Sequence, residues 1–164
     1  MNPDSLWARI GIFRGAHQKP ISIEKLLAQV GLFRSLDQKQ LAQLALRMET
    51  RRYEPGHVIV AENETGDALH IVESGLLHVC RSRPGREPLI ISSLGPGQFF
   101  CETALVGDYP RAASIVAAEA STCLALGRER FQEELAAHPA MAVAMVVEVS
   151  RRLRDTLDLL DANA

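Results

Sequence analysis

A mainly β domain of the α+β class is what this sequence predicts: an antiparallel double-stranded β-helix (jelly-roll) barrel flanked by N- and C-terminal helices. Three observations carry that expectation. Between residues 51 and 127, short apolar runs recur at roughly 8- to 12-residue spacing and are punctuated by Gly and Pro. Helical periodicity lies outside that stretch, in a short N-terminal arm and in the flanks 22–48 and 128–161. No helix of any length separates the strand-like runs, which argues against a parallel βαβ sheet.

Composition sets the outer bounds. A chain of 164 residues suits one domain that buries roughly 70% of its unfolded surface. Net charge is -2 and pI about 6.2, which disfavours a protein that coats nucleic acid. Cys80, Cys101 and Cys123 are widely spaced with no C-x-x-C pair, as expected of reduced thiols in a cytoplasmic setting. The N-terminus lacks the pattern of a secretory signal. No run approaches the roughly 20 apolar residues of a membrane span, and the richest stretch, 141–149, contains Glu148.

The elements follow in order. Residues 1–20 read as an N-terminal helical arm and 21–164 as the main domain. In the arm, Leu6, Trp7, Ile10 and Phe13 share one side, suited to the domain's own core or, through Trp7, to a partner. Ser22 is placed to cap a helix ended by Gly31; Leu32 and Phe33 then plug the core. Asp37 caps a second helix, in which Leu41, Leu44, Ala45 and Met48 recur at helical spacing. Tyr53 to Gly56 form a turn, and His57 to Val60 a strand. Further strands are expected at Leu69–Val72, Leu76–Cys80, Leu89–Ile91, Ala112–Ala117 and Cys123–Leu126. Helices are expected over Arg128–Ala137 and again from Pro139, a residue tolerated in a first turn. In that last helix Val143, Val146, Ser150, Leu153, Leu157 and Leu160 form a heptad-like seam, flanked by opposite charges at i,i+4 such as Glu148 and Arg152.

One stretch, residues 97–114, carries chemistry. Glu102 and Arg111 flank a short apolar segment and a Gly-Asp-Tyr-Pro loop, nine residues apart. A helical turn after Phe100 exposes backbone N–H groups to an anion, and an Arg brought there offers a planar fork that matches two phosphate oxygens. A carboxylate beside it accepts hydrogen bonds from sugar hydroxyls. That set suits a nucleotide receptor better than a catalytic centre, so no enzymatic activity is expected. The plainer alternative is a surface ion pair between Glu102 and Arg111, of about 0–1 kcal/mol.

Phe100-Cys101-Glu102-Thr103-Ala104-Leu105, followed by Pro110-Arg111-Ala112-Ala113-Ser114, resembles the phosphate-binding cassette of the cyclic nucleotide-binding domain family. That family includes catabolite-activator-type regulators, kinase regulatory subunits and cyclic-nucleotide-gated channels. Leu32-Phe33, Tyr53 with Gly56, and Gly66-Asp67 through Gly75 stand in the expected order, so the resemblance covers about residues 22–160. It implies that Glu102 accepts the ribose 2′-hydroxyl and Arg111 pairs with the cyclic phosphate. The N–H groups of Ala104 and Ala112 would complete the cradle, with Cys101, Thr103 and Ala113 in the same cassette. The implied ligand is cAMP or cGMP. Ala112, which lacks a hydroxyl just after the Arg, leans toward cAMP, although Thr103 or Ser114 offers one instead.

The resemblance also implies a last helix that moves on binding, as a lid or as a docking surface for a protein partner or a second copy, with Arg151 or Arg154 near the base. Two departures stand out. Cys101 replaces a usual Gly, where a Cβ is expected only if φ is negative, and Thr103 replaces an apolar residue. Cys101 also stands near a helix start, where a lowered thiol pKa is expected. Asn63 in place of a turn glycine is harmless, since Asn accepts the left-handed region. No helix-turn-helix follows the long helix before Ala164, so direct DNA binding is not expected. Two other classes compete: an interaction domain that kept the fold without the ligand, and a cupin-type metal enzyme using His57, His70 and His78. The last lacks the His-x-His spacing such a site needs, so no metal is expected.

Overall fold

The computed structural model describes residues 22–162, so the expected N-terminal arm lies outside the described residues. Helix α1 (Ile23–Gln29) starts at Ser22, whose hydroxyl accepts the Lys25 N–H at 3.4 Å. Helix α2 (Gln38–Ala45) starts on a full capping box: Asp37 accepts the Gln40 N–H, and Gln40 accepts the Asp37 N–H, both at 2.8 Å. Such a cap contributes about 1 kcal/mol. Between these helices a 3₁₀ turn, Gly31–Phe33, buries Leu32 and Phe33 completely.

Eight strands follow: β1 (Glu49–Tyr53), β2 (Val58–Val60), β3 (Ala68–Ser74), β4 (Leu77–Arg83), β5 (Arg86–Leu94), β6 (Phe99–Phe100), β7 (Ser114–Ala117) and β8 (Ser121–Gly127). They form two antiparallel four-stranded sheets, ordered β1-β8-β3-β6 and β2-β7-β4-β5. The arrangement is a jelly-roll sandwich of open sheets rather than a closed barrel. Helix α3 (Glu102–Val106) sits between β6 and β7, and α4 (Arg128–Ala137) and α5 (Pro139–Ala162) follow β8.

Alternation divides the core in two. On β3, Leu69 and Ile71 face the helices together with Phe99, Leu124 and Leu126, where they meet Leu27, Phe33 and Phe131. Val72, one residue on, joins Phe100, Cys123, Leu77 and Ile115 between the sheets. The first sheet is therefore covered on both faces, which is why β3 reads as a continuous apolar run. The β3–β4 turn needs Gly75, at φ 92°, because a Cβ there would lie 2.2 Å from the Ser121 hydroxyl.

Strand β1 is not visible in the sequence pattern. Its residues, Glu-Thr-Arg-Arg-Tyr, form a half-exposed edge paired with β8 from Glu49↔Ala125 to Tyr53↔Ser121. Backbone pairing defines it, with no buried side-chain alternation to announce it. The seam of α5 is solvent-facing: Val143, Val146, Leu153, Leu157 and Leu160 are all exposed. Among the described residues, no helix is long and apolar enough to cross a membrane.

Candidate functional site

The chain leaves β6 at Phe100, turns through Cys101 and enters α3 at Glu102. Cys101 adopts φ 73°, ψ 11°, the left-handed region, which corrects the expectation of a negative φ. A residue with a Cβ pays roughly 1–2 kcal/mol for that conformation. Its thiol is half-buried, and the loss of solvent around it pushes its pKa up to about 12 against the opposing pull of Arg111, which corrects the expected lowering. Asn63, also predicted to be left-handed, has φ 70°. Its N–H donates to the Arg111 carbonyl at 2.9 Å, and the Arg111 N–H donates to the Glu64 carbonyl at 2.9 Å. The turn at 63–64 thus pins the backbone of Arg111.

The two predicted charges are buried, Glu102 at 5% exposure and Arg111 at 8%, and they do not pair with each other. The plain surface ion pair is therefore ruled out by burial and by partner choice. The Glu102 Oε1 accepts from Arg152 Nη1 at 3.0 Å. Burial raises the Glu102 carboxyl above its ordinary pKa, while Arg152 pulls it back down. Arg152 also donates to the Phe99 carbonyl, stacks its guanidinium 4.8 Å from the Phe99 ring, and pairs with Glu148 at 2.8 Å. The expected Glu148–Arg152 helix pair forms, yet Arg152 is half-buried and crosses to α3 instead of lying on a solvated flank.

Arg111 is less well served. Its Nη1 donates to Cys101 Sγ at 2.9 Å, and its Nη2 reaches Asp67 Oδ1 at 3.5 Å, where the Asp67 side chain is 71% exposed. Nε has no hydrogen-bond partner, the sole buried side-chain nitrogen or oxygen so placed among the described residues. A buried donor left in that state costs about 1–3 kcal/mol.

Glu102 and Arg111 line one cavity of about 490 Å³. Cys101, Thr103, Ala112 and Ala113 line it with them, as do Val60, Val79, Leu94, Phe100 and Ile115 from the sandwich. Helix α5 closes one side with Arg151, Arg152, Asp155 and Thr156, whereas Arg154 does not reach it. Ala104 lies in α3, in the first turn, where backbone N–H groups have no carbonyl four residues back in the helix. Of the two candidate hydroxyls, Thr103 lines the cavity, but Ser114 is engaged in accepting the Glu62 N–H at 2.9 Å.

Sequence reasoning missed Asp67 and Arg152. Asp67 figured only in the Gly66-Asp67 through Gly75 run, with no role of its own, and the i,i+4 pairing of Arg152 concealed its longer reach. Among the described residues, no group of three or more His, Cys, Asp or Glu is placed to hold a metal ion. His70 is instead buried, stacked on Phe100 at 4.9 Å, and held neutral, with its Nδ1–H donating to the Ala68 carbonyl at 3.2 Å.

An apolar cavity in an antiparallel sandwich, with one buried carboxylate, one buried and under-partnered guanidinium and a helix across the side, defines a small-molecule binding domain. Residues 50–138, over half the chain, match the model of the cyclic nucleotide-binding domain, and the chain belongs to that family. It is similar to the cyclic AMP receptor protein of Thermus thermophilus, 36% identical over 121 residues, covering 71% of this chain and 56% of that protein. The crystal structure of Thermus thermophilus catabolite activator protein superposes with TM-score 0.71 at 32% identity, over 80% of this chain and 63% of that one. The regulatory domain of Toxoplasma gondii PKA, solved with cAMP, gives TM-score 0.64 at 32% identity, over 74% of this chain and 46% of that one. The chain thus spans less than two thirds of the length of each of these relatives.

Proposed function

We propose that this chain is a non-catalytic sensor of a cyclic mononucleotide, cAMP foremost and cGMP second, within a single domain over 21–164. The observation that carries the reading is Arg111: a cation 8% exposed, on a cavity wall, with an orphan Nε. Two oxygens of a cyclic phosphate suit its fork. Glu102 accepts the ribose 2′-hydroxyl, and the N–H groups of Ala104 and Ala112 complete the anion contacts. Cys101, Thr103 and Ala113 border the same space. Ala112 supports cAMP; the Thr103 hydroxyl is the group that would favour cGMP.

Response travels through Arg152. It ties α5 to Glu102 and to the Phe99 carbonyl, so a sugar hydroxyl arriving at Glu102 perturbs a contact that positions the helix. The exposed seam of α5 then presents its changed position to a protein partner or to a second copy. Cytoplasmic residence fits the three unpaired cysteines. A ligand-independent interaction domain is the second reading, favoured by the left-handed Cys101 and its contact with Arg111.

Calorimetric titration with cAMP and cGMP separates the two. The sensor reading expects Arg111→Ala to weaken binding about 30- to 150-fold, from a charge-assisted contribution of roughly 2–3 kcal/mol. Equal affinity in wild type and variant, or no binding of either nucleotide, rejects it.

A further inference from the structure

We propose that the Cys101 thiol is a resident acceptor for Arg111, which an incoming phosphate oxygen must displace, so that this one side chain sets the ligand affinity of the site. The inference rests on the cyclic-nucleotide reading above. Three observations carry it. Cys101 Sγ lies 2.9 Å from Arg111 Nη1, and both residues line the same cavity, so a ligand oxygen and the thiol contend for one N–H. The backbone at Cys101 is left-handed, a conformation glycine adopts freely, so the Cβ and the thiol are present at a cost the fold does not require. The Nε of the same arginine has no partner, although the side chain is buried.

The chemistry of the competition is unequal. A thiol sulfur is a weak acceptor, whereas a phosphate oxygen accepts a charge-assisted bond. The thiol therefore gives way to ligand, but it must first be moved, and its contact is lost from the balance of binding. Burial keeps the thiol protonated, so it is a neutral placeholder rather than a fixed counter-ion that would repel phosphate.

The test is calorimetric titration of cAMP into wild type, Cys101→Gly, Cys101→Ala and Cys101→Ser, with Arg111→Ala as the control. Cys101→Gly and Cys101→Ala are expected to bind about tenfold tighter than wild type. Cys101→Ser is expected to bind no tighter, since a hydroxyl is a better acceptor than a thiol. Thermal melts accompany the titrations. Alanine retains the left-handed Cβ and melts below glycine, so matched affinities with unmatched melting temperatures assign the gain to the lost contact. Tightening by glycine alone assigns it to backbone relief, and tightening shared by serine assigns it to bulk; either overturns the inference. So does unchanged affinity in Gly and Ala while Arg111→Ala still weakens binding, which leaves the cyclic-nucleotide reading intact. Failure of every chain, wild type included, to bind cAMP or cGMP overturns both.

Discussion

Glu102 and Arg111 stand on the same cavity wall, nine residues apart and similarly buried, but the fold treats them differently. The carboxylate is answered from within the chain by a close ion pair with Arg152, itself held by Phe99 and Glu148. The guanidinium is answered by a thiol and by a distant, exposed carboxylate, with one N–H unmatched. Burying a charge costs several kcal/mol unless good partners offset it. The carboxylate side is organised as a structural contact, whereas the guanidinium side keeps donor capacity that stability alone does not explain. On the proposed reading, that asymmetry assigns binding to Arg111 and relay to Glu102.

The largest expected effect sharpens the Arg111 side. His70 is buried there, and burial first, then the charges of Arg51 and Arg111, lower its pKa from 6.5 to about 4, with Asp67 opposing. Because the folded pKa lies below the unfolded one, the unfolded chain takes up the proton first, and stability falls as pH drops from 6.5 toward 4. Wild type is expected to lose about 2 kcal/mol more than His70→Gln between roughly pH 7.5 and pH 5 in denaturant titrations. Parallel curves for the two proteins refute the assignment.

The next effect breaks the Glu102 side. Arg152→Met keeps an apolar stem over Phe99 but removes the ion pair, at a cost of about 1–2 kcal/mol, less than for a fully buried pair because Arg152 is partly exposed. Glu102 already has a raised pKa, and without Arg152 it rises further. A raised carboxylate pKa favours the folded state at low pH and penalises it once ionised. The deficit should therefore be largest near pH 7 and shrink toward the ordinary value of 4.5. A deficit that does not vary with pH contradicts the pairing. The smallest effect tests the sugar contact. Glu102→Gln should narrow the preference for cAMP over 2′-deoxy-cAMP by about 1 kcal/mol, roughly fivefold, as read by competition binding. An unchanged preference places the 2′-hydroxyl elsewhere.

Much of this molecule is legible in its sequence. The capping residues Ser22 and Asp37 mark their helices because a side-chain oxygen must satisfy an N–H that the helix leaves open. The strand-turn rhythm from Val58 to Leu126 was readable because Gly and Pro punctuate it, and α4 ran over the predicted residues. Strand β1 was not readable, since an edge of polar residues carries no period. Glu102 and Arg111 were legible as residue types at a spacing, but their partners were not. Arg152 is fifty residues from Glu102 and Asp67 forty-four from Arg111, so nothing local announces either contact.

By itself, then, the sequence determined the fold class and singled out the two candidate charges, because local propensity and alternation act over a few residues at a time. Only the tertiary structure decided that those charges do not meet each other. It also turned Cys101 into a left-handed neighbour of Arg111 and drew Arg152 from its own helix face across to the cassette. Partner choice among buried charges depends on which elements pack together, and packing is settled by the whole core at once.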